Sequence, residues 1–323
     1  MHGGAGHVGT FHAELVQRDR CHRDHAWRDG RISVSDVAAG TRVNDLATAS
    51  FERRFGGLRR LYGVQGAQRI FDAHVVVVGI GGVGSWTVEA LARSGVRELT
   101  LIDMDHVSES NFNRQIHAME QTLGQAKVEA MRERIAHFHP GCKINIIDDF
   151  VTAENWPELL HSGTNLQHLA GQPVGSFAVV DACDQIMAKT SMAAWALAHG
   201  VPFVTVGAAG GKRESQRVEV IDLADVTHDP LLAKLRYGLR RRHGSARAGR
   251  MGVACVCSRE AVAAPDASCE MPAMDGSLNC HGYGSAVSVT ATFGMCAAGW
   301  VMNALAGPAR KSAVGERTPR MTL

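Results

Sequence analysis

A glycine-rich turn carries the first residues whose types and spacing could bind a nucleotide. The run GIGGVG follows a valine-rich apolar segment and precedes an amphipathic one. Gly79, Gly81, Gly82 and Gly84 would let the backbone turn sharply and bring its N–H groups close to a phosphate at the start of the next helix. Because a strand pattern precedes the run and a helix pattern follows it, the motif predicts a phosphate site.

Two acidic residues follow the next apolar segment. Asp103 ends the run LTLID, about 20 residues beyond the glycines, and Asp105 lies two positions later. A carboxylate at this point of a nucleotide-binding fold accepts hydrogen bonds from ribose hydroxyls. Together with the glycines, these residues fit a nicotinamide-dependent dehydrogenase as well as a nucleotidyl transferase.

A polar and basic cluster separates these two chemistries. Asn111 and Arg114 lie in SNFNRQ, and Lys127 lies in GQAKVE. Adenylate transfer develops charge on phosphate oxygens, which cations must stabilise, whereas hydride transfer needs no such cluster there. Arg114 can grip a phosphate through two N–H donors, and Lys127 supplies a point charge. We therefore predict adenylation by ATP, with a dehydrogenase as a minor alternative.

Two aspartates in VVDACDQ are candidates for holding Mg²⁺ beside the phosphates. Asp184 lies just past the end of the predicted strand and would project into a crevice. Asp181 would instead cap the turn. Asp184 is therefore the predicted magnesium ligand and a catalytic residue.

These side chains need a frame, and alternating apolar and helical patterns supply one. Strands are predicted at 75–80, 98–103, 143–148, 177–182, 202–208, 217–222 and 252–258. Helices are predicted at 51–72, 83–94, 123–139, 185–199 and 229–242, and a loop at 163–176. Valine- and isoleucine-rich strands alternating with helices indicate an α/β protein with a Rossmann-like, doubly wound, mainly parallel sheet and a C-terminal α/β extension.

Composition and segment patterns define the organisation of the 323 residues. Hydrophobic residues make up 45%, charged residues 20%, and the formal net charge is +2, as in ordinary globular proteins. We predict an extension outside the fold at 1–50, an ATP-binding adenylation core at 51–212, a substrate or dimer region at 213–310 and a tail at 311–323. The uncharged stretch 283–307 could span a membrane by length, but its small residues favour a buried or dimer-interface helix.

The motifs together resemble the ubiquitin-activating-enzyme-like (ThiF/MoeB/HesA) superfamily, whose members adenylate carboxylates. The resemblance rests on GIGGVG, LIDMD, SNFNRQIHA, GQAKVE and VVDACDQ in that order. RRFGGLRRLYG, GAAGGK, VIDLADVTHDPLLAKLR and VTATFG extend it to the branch of tRNA threonylcarbamoyladenosine dehydratases. It covers about residues 51–310.

The resemblance implies a reaction and a set of roles. The threonyl carboxylate of the modified adenosine beside the anticodon would be adenylated with ATP, and an internal nitrogen would close a ring with loss of AMP. Gly81 and Gly82 would flank the phosphates and Asp103 would bind ribose, while Asn111, Arg114 and Lys127 would contact the triphosphate. Asp184 would serve Mg²⁺. An arginine from a partner subunit, for which Arg60 is preferred over Arg54 and Arg59, would imply a homodimer.

Cysteine usage separates this branch from adenylyltransferases that activate a sulfur-carrier protein. Those relatives carry two CxxC pairs for structural zinc, and this sequence contains none. Two other interpretations are less favoured. One is zinc binding by Cys255, Cys257, Cys269 and Cys280, and the other is a thioester at Cys255 or Cys280. The eight cysteines indicate reduced thiols and a cytoplasmic protein. A sulfur-transfer partner protein and a non-catalytic nucleotide-binding module stay open as alternatives.

A basic stretch after the core predicts an RNA partner. Between residues 234 and 250 the chain carries seven basic residues and no acidic one. The predicted nucleic-acid contacts in its first half are Lys234, Arg236, Arg240, Arg241 and Arg242. Such clusters attract phosphates without reading sequence. We expect tRNA as the partner, and no DNA.

Overall fold

The glycine turn lies at the carboxyl end of a central strand in a seven-stranded sheet. The structure, a computed structural model, describes residues 48, 50–163, 176–264 and 283–307. The predictions for the extension up to residue 47, for most of the loop 163–176, for Cys269 and Cys280, and for the tail at 311–323 concern residues outside these ranges.

Six parallel strands and one antiparallel strand at the end of the order form the sheet. The strands are β1 (His74–Val78), β2 (Glu98–Ile102), β3 (Lys143–Ile147), β4 (Phe177–Asp181), β5 (Phe203–Val206), β6 (Val218–Asp222) and β7 (Ala254–Ser258). Their order is β3-β2-β1-β4-β5-β7-β6, and only β6 runs antiparallel to its neighbour among these strands. The predicted mainly parallel sheet is confirmed. Strand order reverses between β1 and β4, where ligands bind in folds of this type.

The strand register brings the predicted site residues to one level. Val78 at the end of β1 pairs with Ile102 of β2 and with Asp181 of β4. The residues that follow each strand therefore emerge side by side at the carboxyl edge of the sheet. This arrangement places the glycine turn between the loop after β2 and the loop after β4.

Helices cover both faces of the sheet. They are α1 (Gly57–Phe71), α2 (Gly84–Arg93), α3 (Lys127–Ala136), α4 (Glu158–Gly163), α5 (Ile186–His199), α6 (Pro230–Arg242) and α7 (Val287–Ala306). Buried apolar side chains fill one core on each side of the strands. The sheet is thus covered on both faces, as its near-continuous apolar strands require.

Two predicted helices differ from those observed. The helix predicted at 123–139 begins only at Lys127, because Gly124 takes a φ of 81° and Ala126 is extended. The helix predicted at 51–72 is interrupted: residues 50–55 are helical, and within α1 Gly63 has a φ of 72° and kinks the chain. Gly63 at positive φ interrupts a helix, whereas Gly124 at positive φ keeps the residues before Lys127 out of one.

The uncharged stretch forms helix α7, which packs on the protein core. Among the described residues it is the one helix long and apolar enough to cross a membrane. Its buried face includes Phe293 and Ala297 and lies against α2 and the sheet. At Gly294 an added Cβ would lie 2.6 Å from the carbonyl oxygen of Val83, so a side chain there would separate the two helices. The predicted packed helix is therefore present.

Candidate functional site

A cleft of about 440 Å³ opens at the carboxyl ends of β1, β2 and β4. Its volume is typical of small-molecule sites. The predicted residues that line it are Gly79, Gly81, Gly82, Asp103, Asp105, Asn111, Arg114, Lys127 and Asp184. Gly84 and Arg60 are not among its lining residues. The carboxyl end of the sheet thus brings together nine residues from five segments of the chain.

The glycines of the turn have different functions. An added Cβ at Gly84 would lie 1.8 Å from the carbonyl oxygen of Gly79, and one at Gly79 would lie 2.8 Å from that of Ala182. Gly79 also has a φ of 84°, which disfavours any other residue. At Gly81 a Cβ would meet no described atom within 4 Å. Gly79 and Gly84 therefore pack the turn, whereas Gly81 exposes backbone to a ligand.

Asp103 links the end of β2 to the glycine turn. Its Oδ2 accepts a hydrogen bond of 2.5 Å from the Ile80 N–H, and its Oδ1 accepts one of 2.8 Å from the Asp105 N–H. Burial raises the pKa of this carboxyl, and the charge of Lys127 together with the two N–H groups partly opposes the rise. Each carboxylate oxygen keeps a further lone pair, so Asp103 can also accept from a sugar hydroxyl.

Lys127 and Asp105 form an ion pair at the cleft wall. The Lys127 Nζ lies 2.6 Å from Asp105 Oδ2, and the Lys127 backbone N–H donates to the Asp105 carbonyl at 3.0 Å. The lysine side chain is 7% exposed and the aspartate side chain 57%. The ammonium is therefore held in place before any phosphate arrives.

Arg114 is a cation without a carboxylate partner among the described residues. Its Nη1 donates to the Ser110 carbonyl at 2.5 Å and to Asn113 Oδ1 at 3.0 Å. An added Cβ at Gly82 would lie 3.2 Å from Arg114 Cγ, so the glycine makes room for the arginine stem. The guanidinium keeps donors free to face a phosphate.

Asn111 shapes the loop that presents Arg114. Its Oδ1 accepts from the Ser108 N–H at 3.1 Å, which caps the short 3₁₀ helix Glu109–Asn111. The side chain is buried and lines the cleft. Asn111 thus holds the loop that carries Arg114, and its Nδ2 donates to Ser110 Oγ at 3.5 Å.

The two aspartates after β4 differ in environment. Asp181 is fully buried, pairs with Lys189 at 3.0 Å and accepts a hydrogen bond of 2.6 Å from Thr205 Oγ1. Burial opposes the charge of Lys189, but the adjacent Asp181 outweighs burial and raises the pKa of the ammonium. Asp184 is exposed at the cleft wall. Of the two aspartates after β4, only Asp184 can therefore offer carboxylate oxygens to a ligand.

The structure adds residues that sequence reasoning did not assign to the site. Gln115 lines the cleft and is buried, and its Oε1 has no hydrogen-bond partner among the described residues. The segment Gly207–Gly210 after β5 and Thr290 of α7 complete the wall. Gln115 directly follows Arg114 in the motif, which is a signal that could have identified it. Thr290 lies in α7, far along the chain, and offered no such signal.

The arginines near α1 lie away from the cleft of their own chain. Arg54 donates to the Phe138 carbonyl, and Arg59 pairs with Glu52. Arg60 is exposed and has no ion pair or hydrogen bond with any residue that the structure describes. Of the three candidates, Arg60 is thus the one whose guanidinium is not engaged by another described residue.

The basic helix α6 exposes only part of its predicted contact set. The Arg236 guanidinium donates to the carbonyls of Leu223 and Val226, at 3.1 and 2.8 Å, and so braces the helix. Lys234, Arg241 and Arg242 are exposed, and Arg240 is partly exposed. The outer face is therefore positively charged, with Arg236 turned toward the protein.

The cysteines on β7 lie in the core. Cys255 and Cys257 are buried, and burial raises the pKa of both thiols, that of Cys257 to about 12. A thiolate is the reactive form, so this environment suppresses nucleophilic chemistry at Cys255. Within the described ranges, no group of three or more potential metal ligands occurs.

Comparison with known proteins gives concordant similarities. The sequence pattern of the ThiF family matches residues 55–319. The chain is 42% identical over 257 residues to the tRNA threonylcarbamoyladenosine dehydratase of Escherichia coli, covering 77% of this chain and 91% of that protein. It is 39% identical to the enzyme of the same name from Haemophilus influenzae, covering 79% and 94%.

A solved structure shares the fold. It is the crystal structure of the Escherichia coli dehydratase in complex with ATP, 40% identical in sequence, with a TM-score of 0.65. The superposition covers 79% of this chain and 94% of that one.

Proposed function

This chain belongs to the ThiF family, and on that premise we propose that it is an ATP-dependent dehydratase of threonylcarbamoyladenosine in tRNA. Two relatives carry this name, and the match covers 91% and 94% of their length. The one from Escherichia coli has been crystallised with ATP. The observation that carries the proposal is the cleft itself. The glycine turn, the Asp103 carboxylate and the two cations Arg114 and Lys127 line it together at the strand-order reversal.

The cleft residues account for the first half of the reaction. The threonyl carboxylate attacks the α-phosphorus of ATP, and pyrophosphate leaves with the electron pair of the broken P–O bond. Arg114 and Lys127 stabilise the charge that develops on the phosphate oxygens. The backbone at Gly81 and Gly82 approaches the phosphates, and Asp103 accepts from the ribose.

Asp184 is the proposed magnesium ligand. Its exposed carboxylate at the cleft wall is a hard oxygen donor, which suits a cation that also binds nucleotide phosphates. When bound, Mg²⁺ would neutralise phosphate charge. Four carboxylates line the cleft (Asp103, Asp105, Asp149 and Asp184) against two cations, Arg114 and Lys127, so a divalent ion would also offset repulsion of the triphosphate.

The second half of the reaction needs no enzyme thiol. An internal nitrogen of the substrate attacks the activated carbonyl, the ring closes, and AMP leaves with the former carboxylate oxygen. The net change is loss of one water from the nucleoside. The buried positions of Cys255 and Cys257 agree with a route that bypasses a thioester.

The proposal includes the partners of the enzyme. Lys234, Arg241 and Arg242, which are exposed, and the partly exposed Arg240 would contact tRNA phosphates, within a substrate region after residue 212. Arg60, exposed and unpaired among the described residues, would reach the phosphates bound to a second copy, which makes the enzyme a homodimer. With a tRNA substrate, the cytoplasm is the proposed location of the enzyme.

One experiment tests the reaction. The protein is incubated with ATP, Mg²⁺ and tRNA carrying threonylcarbamoyladenosine, and the nucleosides are analysed by mass spectrometry. Loss of one water from the modified nucleoside, with release of AMP, is the expected result. An unchanged nucleoside, in a preparation that binds ATP, contradicts the proposal. A parallel reaction with a sulfur-carrier protein, followed by pyrophosphate exchange, tests the alternative substrate.

A further inference from the structure

A second groove, of about 410 Å³, lies between helices α5 and α6 and is not used by the adenylation chemistry. The residues that give it its character are Met187, Lys234, Tyr237, Gly238, Arg241 and Arg242. Three of the six are cations, one is aromatic, and none is acidic. The groove therefore presents a positive, partly aromatic surface.

The lining of the groove begins within two residues of the lining of the ATP cleft, on both helices. Gln185 lines the cleft and the next residue, Ile186, lines the groove. On the facing helix, Leu231 lines the cleft and Ala233 lines the groove. Tyr237 lies six residues beyond Leu231, which corresponds to a rise of about 9 Å along α6. A substrate reaching into the cleft can thus extend directly into the groove.

A glycine lets the two helices approach at the floor of the groove. An added Cβ at Gly238 would lie 3.1 Å from Thr190 Oγ1 of α5. Glycine weakens a helix interior relative to alanine, yet it occupies the middle of α6. Its presence lets α6 lie close to Thr190 of α5, next to Tyr237.

The side chains around Tyr237 are suited to single-stranded RNA. The Tyr237 side chain is prominent, with the residue 62% exposed. Arg241 Nη1 donates to the Tyr237 hydroxyl at 3.0 Å, and Arg242 has only the weak acceptor Met187 Sδ, at 2.7 Å, among the described residues. Aromatic side chains that stack bases, flanked by cations that track phosphates, are the standard elements of single-strand binding.

We propose that this groove is a subsite for the nucleotide adjacent to the modified adenosine. The base stacks on the ring of Tyr237, and Lys234, Arg241 and Arg242 contact the phosphates on either side. This inference rests on the proposed function, because an adenosine bound with its threonyl carboxylate in the cleft brings its neighbour to this position. Charge complementarity selects a polyanion over a protein segment as the occupant.

The test uses an anticodon stem-loop that carries threonylcarbamoyladenosine with fluorescent 2-aminopurine at the neighbouring position. Tyr237→Ala, Tyr237→Phe and the wild-type protein are compared for dehydration and for fluorescence quenching on binding. Tyr237→Ala should lower kcat/KM for the RNA by about tenfold or more, mainly through KM, and abolish the quenching. Tyr237→Phe keeps the ring and should retain activity within about threefold. The affinity for ATP should not change in either variant.

A matched pair of arginine variants separates the subsite from general attraction. Arg241 lines the groove, whereas Arg247 is exposed in the same basic stretch but does not line it. Each substitution by alanine removes one charge, so Arg241→Ala should raise KM for the RNA more than Arg247→Ala. If the wild type dehydrates the RNA but Tyr237→Ala matches it in kinetics and quenching, the proposed nucleotide subsite is refuted. A protein segment would then be the alternative occupant of the groove. If the wild type fails to dehydrate the RNA while binding ATP, the proposed function fails instead.

Discussion

Lys127 makes two polar contacts with Asp105: its ammonium lies 2.6 Å from Oδ2, and its backbone N–H donates to the carbonyl oxygen at 3.0 Å. The first contact is the ion pair of the cleft, and the second holds the start of α3 against the loop after β2. A phosphate that enters the cleft must share the ammonium with Asp105. The pair therefore positions the cation before ATP binds and keeps a buried charge compensated without it.

Replacement of this lysine should stop adenylation. Lys127→Ala removes a cation aimed at developing phosphate charge, so AMP release with modified tRNA should fall by about 10²- to 10³-fold. Lys143→Ala is the control, because Lys143 pairs with Glu98 on the far end of the sheet and does not line the cleft. Wild-type turnover by Lys127→Ala would remove the residue from the mechanism.

Alanine substitutions at Gly81 and Gly84 should separate ligand binding from folding. In Gly84→Ala the new Cβ would overlap the Gly79 carbonyl, so the free energy of unfolding should fall by several kcal/mol, about 3 or more. In Gly81→Ala the Cβ enters open space, so the protein should fold normally but bind ATP more weakly. Chemical denaturation and ATP titration of both variants give the comparison, and a Gly81→Ala protein with unchanged ATP affinity would show that no phosphate approaches there.

Much of the site was predictable because parallel strands end at one edge of a sheet. The valine-rich β1 and the acid at the end of β2 are local patterns, and their register follows from the fold class. Given the alternation of strands and helices, the proximity of Asp103, Arg114 and Lys127 can be predicted without any long-range information.

Other features depend on tertiary contacts that no local pattern encodes. The charge run of α6 does not reveal that Arg236 turns inward to two carbonyls, because a basic side chain can brace a helix or face solvent with equal local propensity. The pairing of Asp181 with Lys189 crosses from β4 to α5 and likewise leaves no sequence signal. The late start of α3 reflects the positive φ of Gly124, which the helical periodicity of the neighbouring residues does not reveal.

The two aspartates of VVDACDQ should respond oppositely to the same change. Asp181→Asn leaves the buried ammonium of Lys189 without its counter-charge and should cost about 3–5 kcal/mol of stability. Asp184→Asn alters an exposed side chain, so stability should stay within about 0.5 kcal/mol of wild type. The turnover rate of Asp184→Asn should fall, and the variant should need a higher Mg²⁺ concentration to reach its maximal rate. Urea unfolding and a magnesium titration of the rate give both readouts, and a stable, active Asp184→Asn enzyme at low Mg²⁺ would exclude the residue as a ligand.

His117 should make the fold sensitive to acid. The side chain is fully buried and both ring nitrogens lack a hydrogen-bond partner among the described residues, and burial, with Lys127 and Arg134 adding to it, lowers the pKa of the imidazole to about 3. Between the unfolded value of about 6.5 and that folded value, the unfolded chain binds a proton that the folded protein does not, so stability falls as pH falls. From pH 7.5 to 5.5 this group alone should cost about 1.4 kcal/mol.

His117→Leu removes the titrating ring and keeps an apolar side chain of similar size, so its loss of stability over the same interval should be smaller than that of wild type by about this amount. Burial also lowers the pKa of His74, to about 4, so the variant should keep part of the wild-type acid sensitivity. Urea unfolding at both pH values measures the difference. If His117→Leu loses as much stability as wild type, the buried imidazole is already protonated or solvated in the folded protein. The acid sensitivity would then have to arise from other groups.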